Sequence, residues 1–203
     1  MRLAHIRQKN TFNEPVWHVL LAICFVIGLQ LVLSDALTFG FKYVIIGLEV
    51  LLLLILSVFS LSATARRFFA IALIALISAA NIISLGVVIE ALFAGVGVNG
   101  RGLLISGLAI YLTNIIVFGL WYWELDNTRI RIADFLFPQT NTNTAWRPTF
   151  FDYLYVSITN ATAFSPTDTL PLTHRAKLLM TIQSVASLVT VALVAARAVN
   201  ILS

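Results

Sequence analysis

Cysteine is nearly absent from this sequence, and its scarcity excludes two chemistries at once. Cys24 has no second cysteine to pair with, so neither a disulfide framework nor a cysteine metal site is available. The three histidines offer no pair at helical spacing, so no metal centre and no cofactor is expected. Charge is scarce as well: 11% of the 203 residues are Asp, Glu, Lys or Arg, against 60% hydrophobic, and the mean hydropathy is +0.95. A chain so poor in charge has no means of covering itself with an ordinary polar surface. That excludes a soluble globular domain and indicates an integral membrane protein.

The charge that remains is basic, a net +4 with a pI near 9.6. The Lys and Arg residues gather at the ends of apolar segments, where they anchor helices and set orientation, so no nucleic-acid partner is expected. Gly95, Gly97, Gly100 and Gly102 make a glycine-rich turn, but its apolar flanks and the lack of a preceding strand argue against a phosphate loop. Ser165 has no partner histidine within reach, since His174 is separated from it by a turn and two prolines. The chain is therefore not expected to be an enzyme.

What is present is apolar length. Five runs are long enough to cross about 30 Å of hydrocarbon at about 1.5 Å per residue: Pro15–Leu37, Lys42–Ser62, Phe68–Val98, Gly102–Glu124 and Ala176–Leu202. The N-terminal basic-then-apolar order resembles a signal peptide, but the apolar stretch is too long and lacks a small-residue cleavage site, so it is read as a retained first span. The third run is over-long and holds Asn81 and Glu90, which predicts a kink or strong tilt. Trp17, Trp121, Tyr122 and Trp123 fall at span ends and are expected in the headgroup belt. From Leu125 to Pro148 the composition turns polar, and a surface loop is expected there.

The block from Arg147 to Lys177 is different in kind. Thr149 followed by Asp152 fits a capping box and predicts a helix starting near Phe150. FFDYLYVSITNA supplies about three turns, roughly 18 Å or half a bilayer. The chain then leaves the helix through Thr162, Ala163, Phe164, Ser165, Pro166, Thr167 and Asp168. Irregular backbone at that depth is tolerated only where it is buried in protein or lines a wet cavity. The block is accordingly expected to dip into the membrane and return as a pore loop, with the negative end of the short helix favouring a cation and copies of Asp168 forming an acidic ring. Thr159, Asn160, Thr162, Ala163, Phe164, Ser165, Thr167 and Asp168 are the candidate constriction. On the last helix Thr181, Ser184, Ser187 and Thr190 repeat at spacing three, ahead of the small residues Ala192, Ala195 and Ala196. Such a face suits either a pore lining or close helix packing.

The run DYLYVSITNATAFSPTDTLPLTHRAKLLMTIQSVASLVTVALVAARAV resembles the pore helix, filter and inner helix of the two-transmembrane potassium channel superfamily. In that family an S-x-T-T stretch leads to a T-x-G-Y-G-D filter, a proline and an L-T-x-x-x-K/R-L start to the inner helix. Ser157, Thr159, Asp168, Pro171, Leu172, Thr173 and Lys177 occupy comparable places. The same run also resembles uncharacterised bacterial membrane proteins with a D-x-L-Y-x-S-x-T and F-x-x-S/T-D-T pattern. The resemblance covers about fifty residues and implies an oligomer, a tetramer by preference, in a bacterial inner (plasma) membrane. No glycine lies between Thr159 and Asp168, and stacked filter carbonyls need the positive φ that glycine supplies, so potassium selectivity is not carried over.

The expected fold is all-α with five transmembrane helices, residues 1–100 forming three peripheral helices and residues 101–203 a pore-like unit. With the N-terminus inside, Arg2, Arg7, Lys9, Arg66, Arg67, Arg129, Arg131, Arg147, Arg175 and Lys177 fall on the cytoplasmic side, and Lys42, Arg101 and Arg197 outside. That orientation brings the pore-like block in from the cytoplasm. Glu49 and Glu90 are costly carboxylates within apolar runs and are candidates for a shared site or proton pathway. The expected function is an oligomeric channel for monovalent cations. The alternatives are a proton-coupled secondary transporter using Glu49 and Glu90, and a structural membrane protein whose re-entrant block only packs.

Overall fold

The structure, a computed structural model, describes residues 17–33, 40–94, 100–127, 133–142, 146–162 and 169–202. Helices dominate: α1 (Trp17–Val32), α2 (Lys42–Val58), α3 (Ala63–Ala94), α4 (Gly100–Asn127), the short α5 (Gln139–Thr142), α6 (Phe150–Thr162) and α7 (His174–Leu202). Two short strands, β1 (Phe135–Leu136) and β2 (Leu170–Pro171), pair antiparallel with Phe135 opposite Pro171. Three helices, α3, α4 and α7, are long and apolar enough to cross a bilayer, which marks an integral membrane protein. The helices α1 and α2 have 16 and 17 described residues, or about 24 and 26 Å. Among the described residues, full spanning length is thus reached in three of the five expected runs.

The centre of the bundle is α4, packed against α1, α3, α6 and α7. Its position explains the largest departure from the sequence expectation. Tyr122 is fully buried and Trp123 nearly so, while the Trp121 indole donates to Ser78 Oγ at 3.0 Å. Tyr122 and Trp123 therefore face the protein interior and Trp121 is half-buried, because this end of α4 is covered by its neighbours, while Ile105 and Leu108 nearer its start stay exposed. Trp17, on the outer α1, stays exposed.

The neighbouring helices run antiparallel along the chain. Arg67 near the start of α3 meets Glu124 near the end of α4 at 4.0 Å, and Gly107 near the start of α4 lies against Val194 near the end of α7. One end of the bundle, the near end, therefore gathers the start of α3, the end of α4 and the starts of α6 and α7. Arg66, Arg67, Arg147, Arg175 and Lys177 lie there, whereas Lys42, Arg101 and Arg197 belong to helix ends directed the other way.

Within the stretch expected as a polar surface loop, the described residues 134–137 are docked against the bundle. Phe135 and Phe137 are buried, and each stacks edge-on against Tyr153. Asp126 ties the segment down: its carboxylate accepts from the Asp134 backbone N–H at 2.6 Å and from the Tyr153 hydroxyl in a short hydrogen bond. Asp134 in turn accepts from the Thr173 hydroxyl, and its carbonyl from the Leu172 N–H at 2.8 Å. Aromatic residues among the polar ones, not the polar average, decided the outcome.

Candidate functional site

The sequence-predicted helix begins where the capping pattern puts it. The Thr149 N–H and hydroxyl both donate to Asp152 Oδ2, at 2.7 and 2.8 Å, and α6 starts at Phe150. Its 13 residues span about 20 Å, half the length of α4. Phe150 sits against Trp123 at the near end. Descending, α6 passes α4 at Gly119, where a Cβ would stand 3.2 Å from Leu154 Cα, and then at Ile115, whose carbonyl accepts from Ser157 Oγ at 2.5 Å. Ile115 lies about twelve residues, or 18 Å, from the end of α4. After residues 163–168 the chain is again at the near end, where Leu172 bonds to Asp134 and Leu170 pairs with Leu136.

Where α6 ends, three helices share a buried polar network. Gln183 on α7 is fully buried, and all four of its amide hydrogen-bond positions are used. Its Oε1 accepts from Tyr122 Oη at 2.5 Å and from Asn160 Nδ2 at 2.8 Å. Its Nε2 donates to the Ser157 carbonyl at 3.0 Å and to Ser157 Oγ at 2.6 Å. Asn160 also donates to the Met180 carbonyl at 2.9 Å and accepts from Ser184 Oγ at 3.1 Å. A turn further along, Asn114 Nδ2 donates to Ser187 Oγ at 2.9 Å. A network satisfied this fully fixes the relative depth of the three helices, since slipping any one of them would leave several buried polar groups unpaired.

Among the candidate constriction residues, Asn160 is a member of this network. Thr159 is buried, its hydroxyl 3.0 Å from both the Tyr155 and Val156 carbonyls, and Thr162 Oγ1 donates to the Ile158 carbonyl at 2.9 Å. Ala163, Phe164, Ser165, Thr167 and Asp168 lie outside the described residues. The four hydroxyls expected on one face of α7 are divided. Thr181 is exposed, Ser184 bonds to Asn160, Ser187 is buried against Asn114 of α4, and Thr190 is buried with its hydroxyl donating to the Ala186 carbonyl. Gly107, whose missing side chain admits Val194, draws the lower half of α7 onto α4.

Glu49 and Glu90 are placed in unlike surroundings. Glu49 is fully buried and accepts from Gln30 Nε2 at 2.9 Å, whereas Glu90 is exposed on α3. Among the described residues no group of three or more His, Cys, Asp or Glu side chains gathers as a metal site.

The sequence reading named neither Gln183 nor Asn114 as a site residue, and took Tyr122 for a belt aromatic. The signal for Gln183 was available, since it is a primary amide inside an apolar run, four residues from Ser187 and three from Met180. Its partners on α4 and α6 had no sequence signature, because they are set by the crossing of helices far apart in the chain. No protein-family model, curated protein or solved structure matches this chain.

Proposed function

We propose that this chain is the subunit of an oligomeric channel for monovalent cations, in which α6 is a re-entrant pore helix between an outer helix, α4, and an inner helix, α7. The single observation that carries this reading is the placement of α6. It is half as long as α4, starts at the near end, stops at the mid-depth of α4, and is followed by chain that is back at the near end. A helix ending inside a bilayer directs its last free carbonyls at that depth, and the negative end of its dipole favours a cation there.

The full arrangement in this reading has five spans. The helices α1 to α3 are peripheral, and the chain from Gly100 onward forms the pore unit, repeated about a symmetry axis, with four copies preferred. Thr162 at the end of α6, and Ser165, Thr167 and Asp168 beyond it in the sequence, supply the polar groups of the constriction, Asp168 the acidic ring. The excess of Lys and Arg at the near end places that end in the cytoplasm by the positive-inside rule, so the pore loop enters from the cytoplasmic side.

The test is ion flux in liposomes holding the purified protein, driven in turn by potassium, sodium and chloride gradients. The reading expects cation flux without chloride flux, reduced or altered in block by Asp168→Asn. Folded, inserted protein that passes none of the three ions would overturn it.

A further inference from the structure

Away from α6, the helices α1, α2, α3 and α4 enclose a cavity of about 40 Å³, enough for two or three waters. Its wall is mostly apolar, with Leu33, Ile45, Ala80 and Ile83, and five polar side chains interrupt it: Gln30, Lys42, Asn81, Ser84 and Thr113. Asn81 and Ser84 sit past the middle of α3 and Thr113 near the middle of α4, so this polar ring lies deep within two helices of spanning length. Polar groups at that depth are expensive, and a hydrated cavity is how membrane proteins accommodate them.

Glu49 stands one turn of α2 beyond Ile45 of the cavity wall, on the stripe that also carries Lys42. It is fully buried, and its two carboxyl oxygens are treated differently. Oε1 accepts from Gln30 Nε2 at 2.9 Å, and Gln30 is itself part of the cavity wall. Among the described residues, Oε2 has no hydrogen-bond partner. The Lys42 ammonium, the one positive charge in the cavity wall, donates to the Leu33 carbonyl at 2.6 Å and closes the end of α1.

We propose that Glu49, Gln30 and this cavity form a proton-binding site within the peripheral helices. The step is a simple exchange. A hydronium that reaches Glu49 past Gln30 gives its proton to Oε2, yielding the neutral acid and water, and release returns the proton to water. Gln30 holds Oε1 in both states, so the carboxyl keeps one orientation and only Oε2 changes. The ionisable residues on the elements packed around α2 are His18 and Cys24 on α1, both exposed, and Arg66, Arg67 and Glu90 on α3. On α4, which supplies Thr113, they are Arg101, Tyr111, Tyr122, Glu124 and Asp126. None of these lines the cavity, which leaves Lys42 as the charge that faces it. The site is independent of the pore reading, since no residue of α6 or α7 takes part.

The experiment is infrared difference spectroscopy of the lipid-reconstituted protein between acid and alkaline pH, following the carboxyl C=O stretch. The proposal expects a titrating band that is missing in Glu49→Gln and exchanges in heavy water. In Gln30→Leu, which leaves Glu49 in place, the midpoint should move by roughly tenfold in proton concentration. A spectrum in which Glu49→Gln removes no titrating band would overturn the proposal. So would a band indifferent to Gln30→Leu, which also serves as the deciding measurement if Glu49→Gln fails to fold.

Discussion

Gln183 of α7 gives both of its amide hydrogens to Ser157 of α6, one to the backbone carbonyl at 3.0 Å and one to the hydroxyl at 2.6 Å. That double bond between one side chain and one residue couples the depth of the short helix to the long one. Ser157 passes the constraint on to α4 through its own bond to the Ile115 carbonyl. Three helices are thereby locked at one level by two side chains.

Gln183→Leu removes the acceptor for Tyr122 and Asn160 and the donor for Ser157, at similar size and with no polar replacement. Leaving such groups buried and unpaired is expected to lower stability by about 1–3 kcal/mol. A double-mutant cycle with Ser157→Ala, read by unfolding in detergent, should give a coupling of about 0.5–2 kcal/mol. Additive single effects would show that the two residues do not act together.

Glycine on α4 sets the distances to its partners. At Gly119 an added Cβ meets the Leu154 backbone at 3.2 Å, so α6 has to move to admit it. Gly119→Ala should cost about 1–3 kcal/mol, as overpacking does. Gly28 on α1 has nothing within 4 Å of such a Cβ, and Gly28→Ala should be neutral or stabilising by up to about 1 kcal/mol. Thermal denaturation of the two variants side by side checks the contrast.

The near-end fastening rests on Asp126. Tyr153→Phe removes a hydroxyl that donates to its carboxylate while the Asp134 N–H remains. A loss of about 1.5–3 kcal/mol is expected for a hydrogen bond to a charged group. Limited proteolysis should then cut more readily between Asn127 and Phe150, the part of the chain that contains Asp134.

How much of this was open to the sequence differs by element. Apolar runs place the long helices because bilayer length is a strong constraint, and the Thr149–Asp152 pair places the start of α6 because a cap is local chemistry. The burial of Tyr122 and Trp123 was not legible, because a lipid-facing span end and a buried one look alike until the neighbours of α4 are known. The sequence left the Ser and Thr face of α7 open between lining and packing, and the burial of Ser187 could not be read from it because Asn114, which donates to it, lies 73 residues away in the chain. The partner of Glu49 was likewise out of reach, since Gln30 meets it only through the crossing of α1 and α2.

Orientation is testable with single cysteines in a Cys24→Ser background. Ser62→Cys and Arg175→Cys belong to the near end and Arg101→Cys to the other. A membrane-impermeant maleimide should label the first two only from the cytoplasmic side and the third only from outside. Labelling of the near-end pair from outside would reverse the orientation proposed for the pore loop.

The central claim is that the end of α6 borders an ion path, and Thr162 is its last residue. The deciding measurement is cation flux through Thr162→Cys, again with Cys24→Ser, before and after a small charged thiol reagent is added. A positively charged adduct at that point should suppress most of the cation flux, and dithiothreitol should restore it. Flux that is unchanged although the cysteine has been modified would contradict a pore at the end of α6.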